Sequence, residues 1–126
     1  HTAANRMTRL FKRLFSFLSP KSLKQDFQKY TVIDVRSCAE YRKSHIPGAI
    51  HIPSKVFLRR SLSDINSRVS FPVKDFIVMH CRLSLIRGPD SITAFEREIR
   101  EKSPNEWLGK ELFLLEGGFK AWERDG

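Results

Sequence analysis

The chain has 126 residues and a formal net charge of +9, and 40% of its residues are hydrophobic, ten of them Phe. This length corresponds to one domain, and so apolar a composition excludes an intrinsically disordered chain. No stretch approaches about 18 consecutive apolar residues, so we expect no transmembrane helix.

The positive charge is concentrated near the N-terminus, where residues 1–30 hold seven Lys or Arg against one Asp, a balance of +6. We interpret residues 1–16 as a basic arm, with residues 1–6 a remnant ahead of a natural start at Met7, and residues 17–126 as the domain. Apolar residues recur at helical spacing in and just after this arm: Leu10, Phe11, Leu14, Phe15 and Leu18.

This amphipathic pattern leaves three interpretations open. The segment 7–18 could make weak contact with a membrane or an acidic partner, act as a mitochondrial presequence, or pack on the domain as an arm, which we favour. No basic groove interleaved with aromatic residues and no nucleic-acid motif is present, so we expect no nucleic-acid partner.

The cysteine and histidine content argues against cross-linking and metal binding. Cys38 and Cys81 cannot supply a disulfide framework, and the two Cys and four His show no zinc-binding spacing. We therefore expect no metal site. With no secretory signal in the sequence, we expect reduced thiols and a cytoplasmic or nuclear location.

The predicted elements alternate between helix and strand along the chain. Ser19-Pro20 is a typical helix start, because a capping hydroxyl precedes Pro at the first helical position. The predicted helices cover residues 20–29, 37–44, 54 to about 66, 89 to about 102, and a last short helix with Phe119 and Trp122. The predicted strands cover residues 31–35, 49–52, 76–80 and 112–115. This alternation predicts an α/β domain with a mainly parallel sheet, and the most hydrophobic strand, 76–80, is its centre.

The segment His80-Cys81-Arg82-Leu83-Ser84-Leu85-Ile86-Arg87-Gly88-Pro89 carries the chemistry. It places a cysteine where the central strand ends and a helix begins, which is the edge where parallel α/β sheets bind ligands. Five residues separate Cys81 from Arg87, and a loop of this length can turn its backbone N–H groups inward to bind a tetrahedral oxyanion. The helix N-terminus and the fork of Arg87 add positive charge.

The same donors would stabilise Cys81 as a thiolate, which could attack phosphorus in line and form a thiophosphate intermediate that water then hydrolyses. The alternative is that Cys81 is a small buried residue at a strand end, as free cysteines often are. The strand–loop–helix context and the Arg at the sixth position favour the catalytic interpretation.

His80-Cys81-(x₅)-Arg87-Gly88-Pro89 resembles the active-site loop of the M-phase inducer phosphatases, which are rhodanese-fold dual-specificity enzymes. Two further segments resemble the rhodanese signature and the last strand and helix of that fold, 32–53 and 114–122. The resemblance implies a rhodanese-like domain with a central, mainly parallel five-stranded sheet and helices on both faces.

The resemblance also implies roles for the loop. Cys81 would be the nucleophile and Arg87 the phosphate clamp. The intervening residues would form the substrate cradle: Arg82, Leu83, Ser84, Leu85 and Ile86. We expect the side chains of this stretch, Ser84 apart, to point outward and shape substrate choice.

The implied activity is a cysteine-dependent protein phosphatase that acts on a phosphoprotein as a monomer without a cofactor. Small eukaryotic arsenate reductases share the fold and the loop, so arsenate reduction with glutathione or another thiol is an alternative. A phosphopeptide-binding module with weak catalysis is a further one. Sulfurtransferase rhodaneses have a loop one residue shorter.

This chain differs from the cell-cycle enzymes at two positions, which limits how far their residue roles apply to it. Those enzymes carry Glu just before the loop Arg, where this chain has Ile86, so the loop offers no acid for the leaving group. They also carry a cysteine that can trap the nucleophile as a disulfide, where this chain has Val35. Cys38 lies three residues further on, and we interpret it as an ordinary helix residue.

Other polar and aromatic residues are given structural roles. The rhodanese resemblance suggests that Asp34, Arg36 and Glu40 supply an ion pair that orders a strand end. We expect His80 to lie beneath the loop and hydrogen-bond its backbone. The remaining residues of this kind are expected to be structural: His45, His51, Trp107 and Trp122.

Overall fold

The computed structural model describes residues 14–125. Its strands are β1 (Ser16–Leu18), β2 (Tyr30–Asp34), β3 (Ile50–His51), β4 (Phe76–His80) and β5 (Glu111–Leu115). Its α-helices are α1 (Pro20–Gln25), α2 (Cys38–Lys43), α3 (Ser54–Leu58), α4 (Leu62–Ser67), α5 (Arg87–Lys102) and α6 (Gly118–Arg124). Short 3₁₀ turns occupy Phe27–Lys29 and Asn105–Trp107.

The five strands form one sheet in the order β1-β5-β4-β2-β3, and every neighbouring pair is parallel. The predicted α/β architecture is confirmed, and the sheet is all-parallel rather than mainly parallel. After β2 the chain continues to one side of the sheet, and after β4 it continues to the other. The gap between β2 and β4 is therefore the switch point where such sheets bind ligands.

Both faces of the sheet are covered, because successive residues of each strand point to opposite sides. In β4, Ile77 and Met79 join one buried cluster with α3, α4 and α5, whereas Val78 joins the other with α1 and α6. All three side chains are fully buried, which accounts for the unbroken apolar run of this strand. The prediction that 76–80 is the central strand is confirmed.

The predicted helix over residues 54–66 is wrong as a single helix. It divides into α3 and α4 because Arg60 adopts a left-handed conformation with φ of 55°. The Arg60 guanidinium bonds to Glu98 and Glu101 on α5, and Ser61 caps α4. Tertiary ion pairs and a new cap thus interrupt a pattern that is locally helical.

The predicted helix over 20–29 is also shorter than expected. It ends at Gln25, and the chain continues as the 3₁₀ turn Phe27–Lys29. The other predicted boundaries agree with the structure to within two residues, as helix and strand ends commonly do.

The helical interpretation of the N-terminal segment is wrong for its described part. Ser16–Leu18 is the edge strand β1, which pairs with β5 in the register Phe17↔Leu114. Without β1, the backbone N–H and C=O groups along this edge of β5 would lack hydrogen-bond partners. Pairing with residues 16–18 supplies those partners whatever the side-chain pattern of the segment is. The rest of the segment, 7–13, lies outside the described residues. Within the described part, no helix is long and apolar enough to cross a membrane.

Candidate active site

Cys81 is the first residue after β4, at the switch point of the sheet, and only 3% of its surface is exposed. Two backbone amides donate to its Sγ, Ser84 N and Gly88 N, each at 3.2 Å. Ser84 reaches this position through a left-handed conformation with φ of 56°. The loop therefore curls back over the sulfur and points two backbone N–H groups at it.

The outer side of this loop is tied down by α6. Phe119 N donates to Cys81 O at 2.9 Å, and Lys120 N donates to Arg82 O at 3.0 Å. Gly118 permits this close approach, because a Cβ at that position would lie 2.5 Å from both carbonyl oxygens. Its φ of 62° also favours glycine. Sequence reasoning missed this role, although the Gly117-Gly118 pair before a helix was the available signal.

Arg87, the predicted phosphate clamp, is the first residue of α5, and its guanidinium is held by Glu40 of α2. Nη1 donates to Glu40 Oε1 at 2.6 Å, and Nη2 donates to Oε2 at 3.2 Å. The hydrogen bonds from Arg87 lower the pKa of Glu40 to about 2, and those from Ser37 add to the effect. The pair also raises the pKa of Arg87.

The expected grouping of Glu40 with Asp34 and Arg36 is therefore wrong in part. Glu40 is fixed by a capping box, in which it bonds the amide of Ser37 while Ser37 Oγ accepts from the Glu40 amide. This cap turns the Glu40 carboxylate toward Arg87, at the end of the loop that follows β4, rather than toward the end of β2. Sequence spacing alone could not show which arginine it would face.

Asp34 and Arg36 do form the predicted ion pair at the end of β2, and both are buried. Arg36 Nη2 donates to Asp34 Oδ2 at 2.7 Å and to Ser44 O at 2.7 Å. The guanidinium also lies 4.0 Å from the ring centre of Phe119 on α6. The pair thus connects the strand end, the chain after α2, and the helix that supports the loop.

His80 lies beneath the loop, as predicted, with its Nδ1–H donating to Cys81 O at 3.0 Å. Burial lowers the pKa of His80, so the ring is neutral at pH 7. Its Nε2 lies 3.8 Å from Asp34 Oδ2 without a hydrogen bond. The residue is placed to orient the loop backbone and has no path to a substrate.

The loop side chains form a shallow depression of about 200 Å³ around the cysteine. Leu85 and Ile86 are 72% and 71% exposed, Arg82 and Leu83 also face solvent, and Ser84 is buried. The outward orientation matches the expectation from sequence. Contact of these side chains with a substrate stays a prediction.

The remaining candidate residues make no hydrogen bond to the Cys81 sulfur in the described part of the chain. Cys38 is exposed at the start of α2 and is a free thiol, as is Cys81. The Tyr41 ring stacks on His45 at 3.8 Å and on His51 at 4.6 Å, which fits the structural role expected of both histidines. Over residues 14–125, no group of three or more His, Cys, Asp or Glu is placed to hold a metal ion.

The two tryptophans pack as expected of core and cover residues. Trp107 is fully buried, and its Nε1 donates to Asn66 Oδ1 at 2.7 Å. Trp122 lies half-buried on α6, with the Lys24 ammonium 4.6 Å above its ring.

A buried cysteine on a curled loop at the switch point of a five-stranded parallel sheet defines the class of domain. The family model described as "Rhodanese-like domain" matches residues 19–125, and the chain belongs to that family. The crystal structure of Ygr203w from Saccharomyces cerevisiae has the same fold, with a TM-score of 0.67, 22% identity, and coverage of 88% of this chain and 81% of that one.

Two curated relatives indicate the branch of the family. The chain is 29% identical to "Dual specificity phosphatase ibp1" of Schizosaccharomyces pombe, over 86% of this chain and 88% of that protein. It is 34% identical to "Arsenate reductase 2.1" of Oryza sativa subsp. japonica, over 78% of this chain and 59% of the rice protein. This rhodanese-like domain is thus related to dual-specificity phosphatases and to plant arsenate reductases.

Proposed function

We propose that the chain is a cysteine-dependent protein phosphatase of the dual-specificity type, which hydrolyses phosphotyrosine and phosphothreonine or phosphoserine. The observation that carries the proposal is the pair of amides, Ser84 N and Gly88 N, that both donate to the Cys81 sulfur. The fission yeast relative of nearly the same length, itself named a dual-specificity phosphatase, supports this choice.

The reaction proceeds in two steps. The Cys81 thiolate attacks phosphorus, so that an S–P bond forms while the P–O bond to the leaving group breaks. The leaving oxygen takes a proton from the phosphate monoanion or from an acid outside the loop, since Ile86 cannot supply one. Water then attacks phosphorus, breaks the S–P bond, and releases phosphate and the thiolate.

The loop supplies the positive field that the transition state requires. Its amides and the guanidinium of Arg87 stabilise charge that develops on the equatorial oxygens, so no metal or organic cofactor enters the scheme. Glu40 occupies one edge of the Arg87 guanidinium through Nη1 and Nη2, which leaves Nε and the outer N–H groups for the oxyanion.

Arsenate reduction is the second candidate, supported by the relative from rice. Here the Cys81 thiolate would bond to arsenic(V) with loss of water. Glutathione would then attack the Cys81 sulfur, giving a mixed disulfide while arsenic accepts two electrons and leaves as arsenic(III). A second glutathione would release Cys81. The same loop amides and Arg87 serve this reaction, because arsenate and phosphate are both tetrahedral oxyanions.

The deciding experiment compares wild type, Cys81→Ser and Cys38→Ser with an aryl phosphate and, separately, with arsenate plus glutathione. We expect wild type and Cys38→Ser to release phosphate at the same rate, and Cys81→Ser to lose about 10³-fold or more. Arsenite formation with no phosphate release above background would replace the phosphatase proposal with the reductase. Turnover of neither substrate would leave a phosphopeptide-binding module.

A further inference from the structure

A second cleft, of about 330 Å³, lies beside the depression that contains Cys81. It is formed by α2 and the turn after it, by the loop at Arg82, and by α6. Its volume falls at the low end of the range of ligand pockets, about 300–1,000 Å³. Arg82 lines both the cleft and the depression, so the two are contiguous.

The cleft holds three cations that are free to bind an anion. Lys43, Arg82 and Lys120 are exposed, and in the described part of the chain none of them forms an ion pair. Of the two acids that line the cleft, Glu40 is engaged by Arg87, and Glu123 forms no ion pair within residues 14–125. The free charges therefore give the cleft a net positive field next to the reacting sulfur.

The framework of the cleft is rigid. Lys120 N donates to Arg82 O, so a backbone hydrogen bond joins the loop residue to the helix residue. Arg36, between Asp34 and the ring of Phe119, closes the inner wall with its own charge neutralised. The backbones that carry Arg82 and Lys120 thus keep their relative position without a ligand.

The lining of the depression also includes two apolar side chains, Leu85 and Ile86, which stand out into solvent. A peptide bound over Cys81 therefore meets both cations and aliphatic side chains. An acidic side chain placed against Leu85 and Ile86 would lose water without a partner, so the cations of the cleft are its favourable contact.

We propose that the cleft of Lys43, Arg82 and Lys120 binds an anionic side chain next to the phosphorylated residue of a peptide substrate. The anion is a carboxylate or a second phosphate, which share the chemistry that these cations recognise. This inference rests on the proposed phosphatase function and adds a preference for acidic or doubly phosphorylated sequences. Attraction between exposed charges weakens with salt, so the preference falls as ionic strength rises.

The test uses three phosphotyrosine peptides that are identical except at both flanking positions, which carry Gln, Glu or phosphoserine. Tyrosine fluorescence reports only loss of the tyrosine phosphate. The enzymes are wild type, Lys43→Gln/Lys120→Gln, and Lys74→Gln as a matched control. Lys74 is exposed and lies two residues before β4, at the amino ends of the parallel strands, whereas Cys81 follows the carboxyl end of β4. The measured quantity is the ratio of kcat/KM between each anionic peptide and the Gln peptide.

We expect wild type and Lys74→Gln to favour an anionic peptide by about tenfold at low salt, and the double variant to lose most of that preference. A preference for Glu, for phosphoserine or for both supports the cleft and identifies its anion. Equal hydrolysis of all three peptides by wild type overturns the inference while leaving the phosphatase intact, as does a preference that the double variant retains.

If no peptide is hydrolysed, the proposed function fails separately. Fluorescence anisotropy of the same three peptides with Cys81→Ser then decides on the cleft. Tighter binding of the anionic peptides, lost when both lysines are replaced, supports it, and equal binding overturns it.

Discussion

At the scale of the residue, the contact between Arg87 and Glu40 links the catalytic loop to α2. The pKa of Glu40 is about 2, against an ordinary value of 4.5, because Arg87 hydrogen-bonds its charged form. The unfolded chain binds a proton at this carboxyl as the pH falls below 4.5, whereas the folded chain does not until about pH 2. The pair therefore stabilises the fold fully above pH 4.5, and its contribution is lost between pH 4.5 and 2.

Glu40→Gln should reduce the free energy of unfolding by about 1 kcal/mol at pH 6, a small value because solvent reaches the pair. The difference from wild type should shrink as the pH falls toward 3, and urea unfolding at several pH values measures it. Glu101→Gln, which removes the exposed pair with Arg60, is the matched control. A Glu40→Gln difference that stays constant from pH 6 to 3 would contradict the assignment.

Ile86 is the second residue whose chemistry can be tested alone. It occupies the place of the loop acid in the cell-cycle phosphatases, and its side chain is exposed at the rim of the depression. If protonation of the leaving group limits the rate, Ile86→Glu should raise kcat on an alkyl phosphate by about 10²-fold and change an aryl phosphate little. Ile86→Gln controls for the lost apolar surface. An equal gain in both variants, or none in either, would show that the proton comes from elsewhere.

At the scale of the element, α6 fixes the orientation of the loop. The backbone N–H groups of Phe119 and Lys120 donate to the carbonyl oxygens of Cys81 and Arg82. This contact is possible only because Gly118 has no Cβ. The loop is therefore supported from outside by a helix far along the chain. This dependence could not be derived from the loop sequence, because nothing within Cys81–Arg87 specifies where its carbonyls bond.

Gly118→Ala should destabilise the domain by about 2 kcal/mol or more and reduce phosphatase activity with it. Gly109→Ala separates the two causes, because Gly109 has a similar positive φ of 76° but no atom within 4 Å of its would-be Cβ. We expect Gly109→Ala to cost only the conformational strain and to keep full activity, as measured by thermal unfolding and phosphate release. Equal losses of activity in both variants would show that the carbonyl contacts do not matter.

At the scale of the whole molecule, the α/β class and the central strand follow from the sequence, since buried parallel strands read as unbroken apolar runs. The Asp34–Arg36 pair follows from the rhodanese resemblance, and the place of His80 follows from its position at the end of β4. The predictions that are wrong concern features set by partners far along the chain. Strand β1 forms on the open edge of β5, Arg60 interrupts a helix by pairing with α5, and Glu40 pairs with Arg87. The local pattern of apolar residues does not depend on these contacts and so could not predict them.

The central claim is that the loop amides and Arg87 form an oxyanion site directly around the Cys81 sulfur. The most direct measurement is the rate of alkylation of Cys81 by iodoacetamide at one fixed pH, over a series of arsenate concentrations, in a Cys38→Ser background that leaves one thiol. We predict that arsenate slows the alkylation progressively until the site is full. An alkylation rate that arsenate does not change would contradict the account.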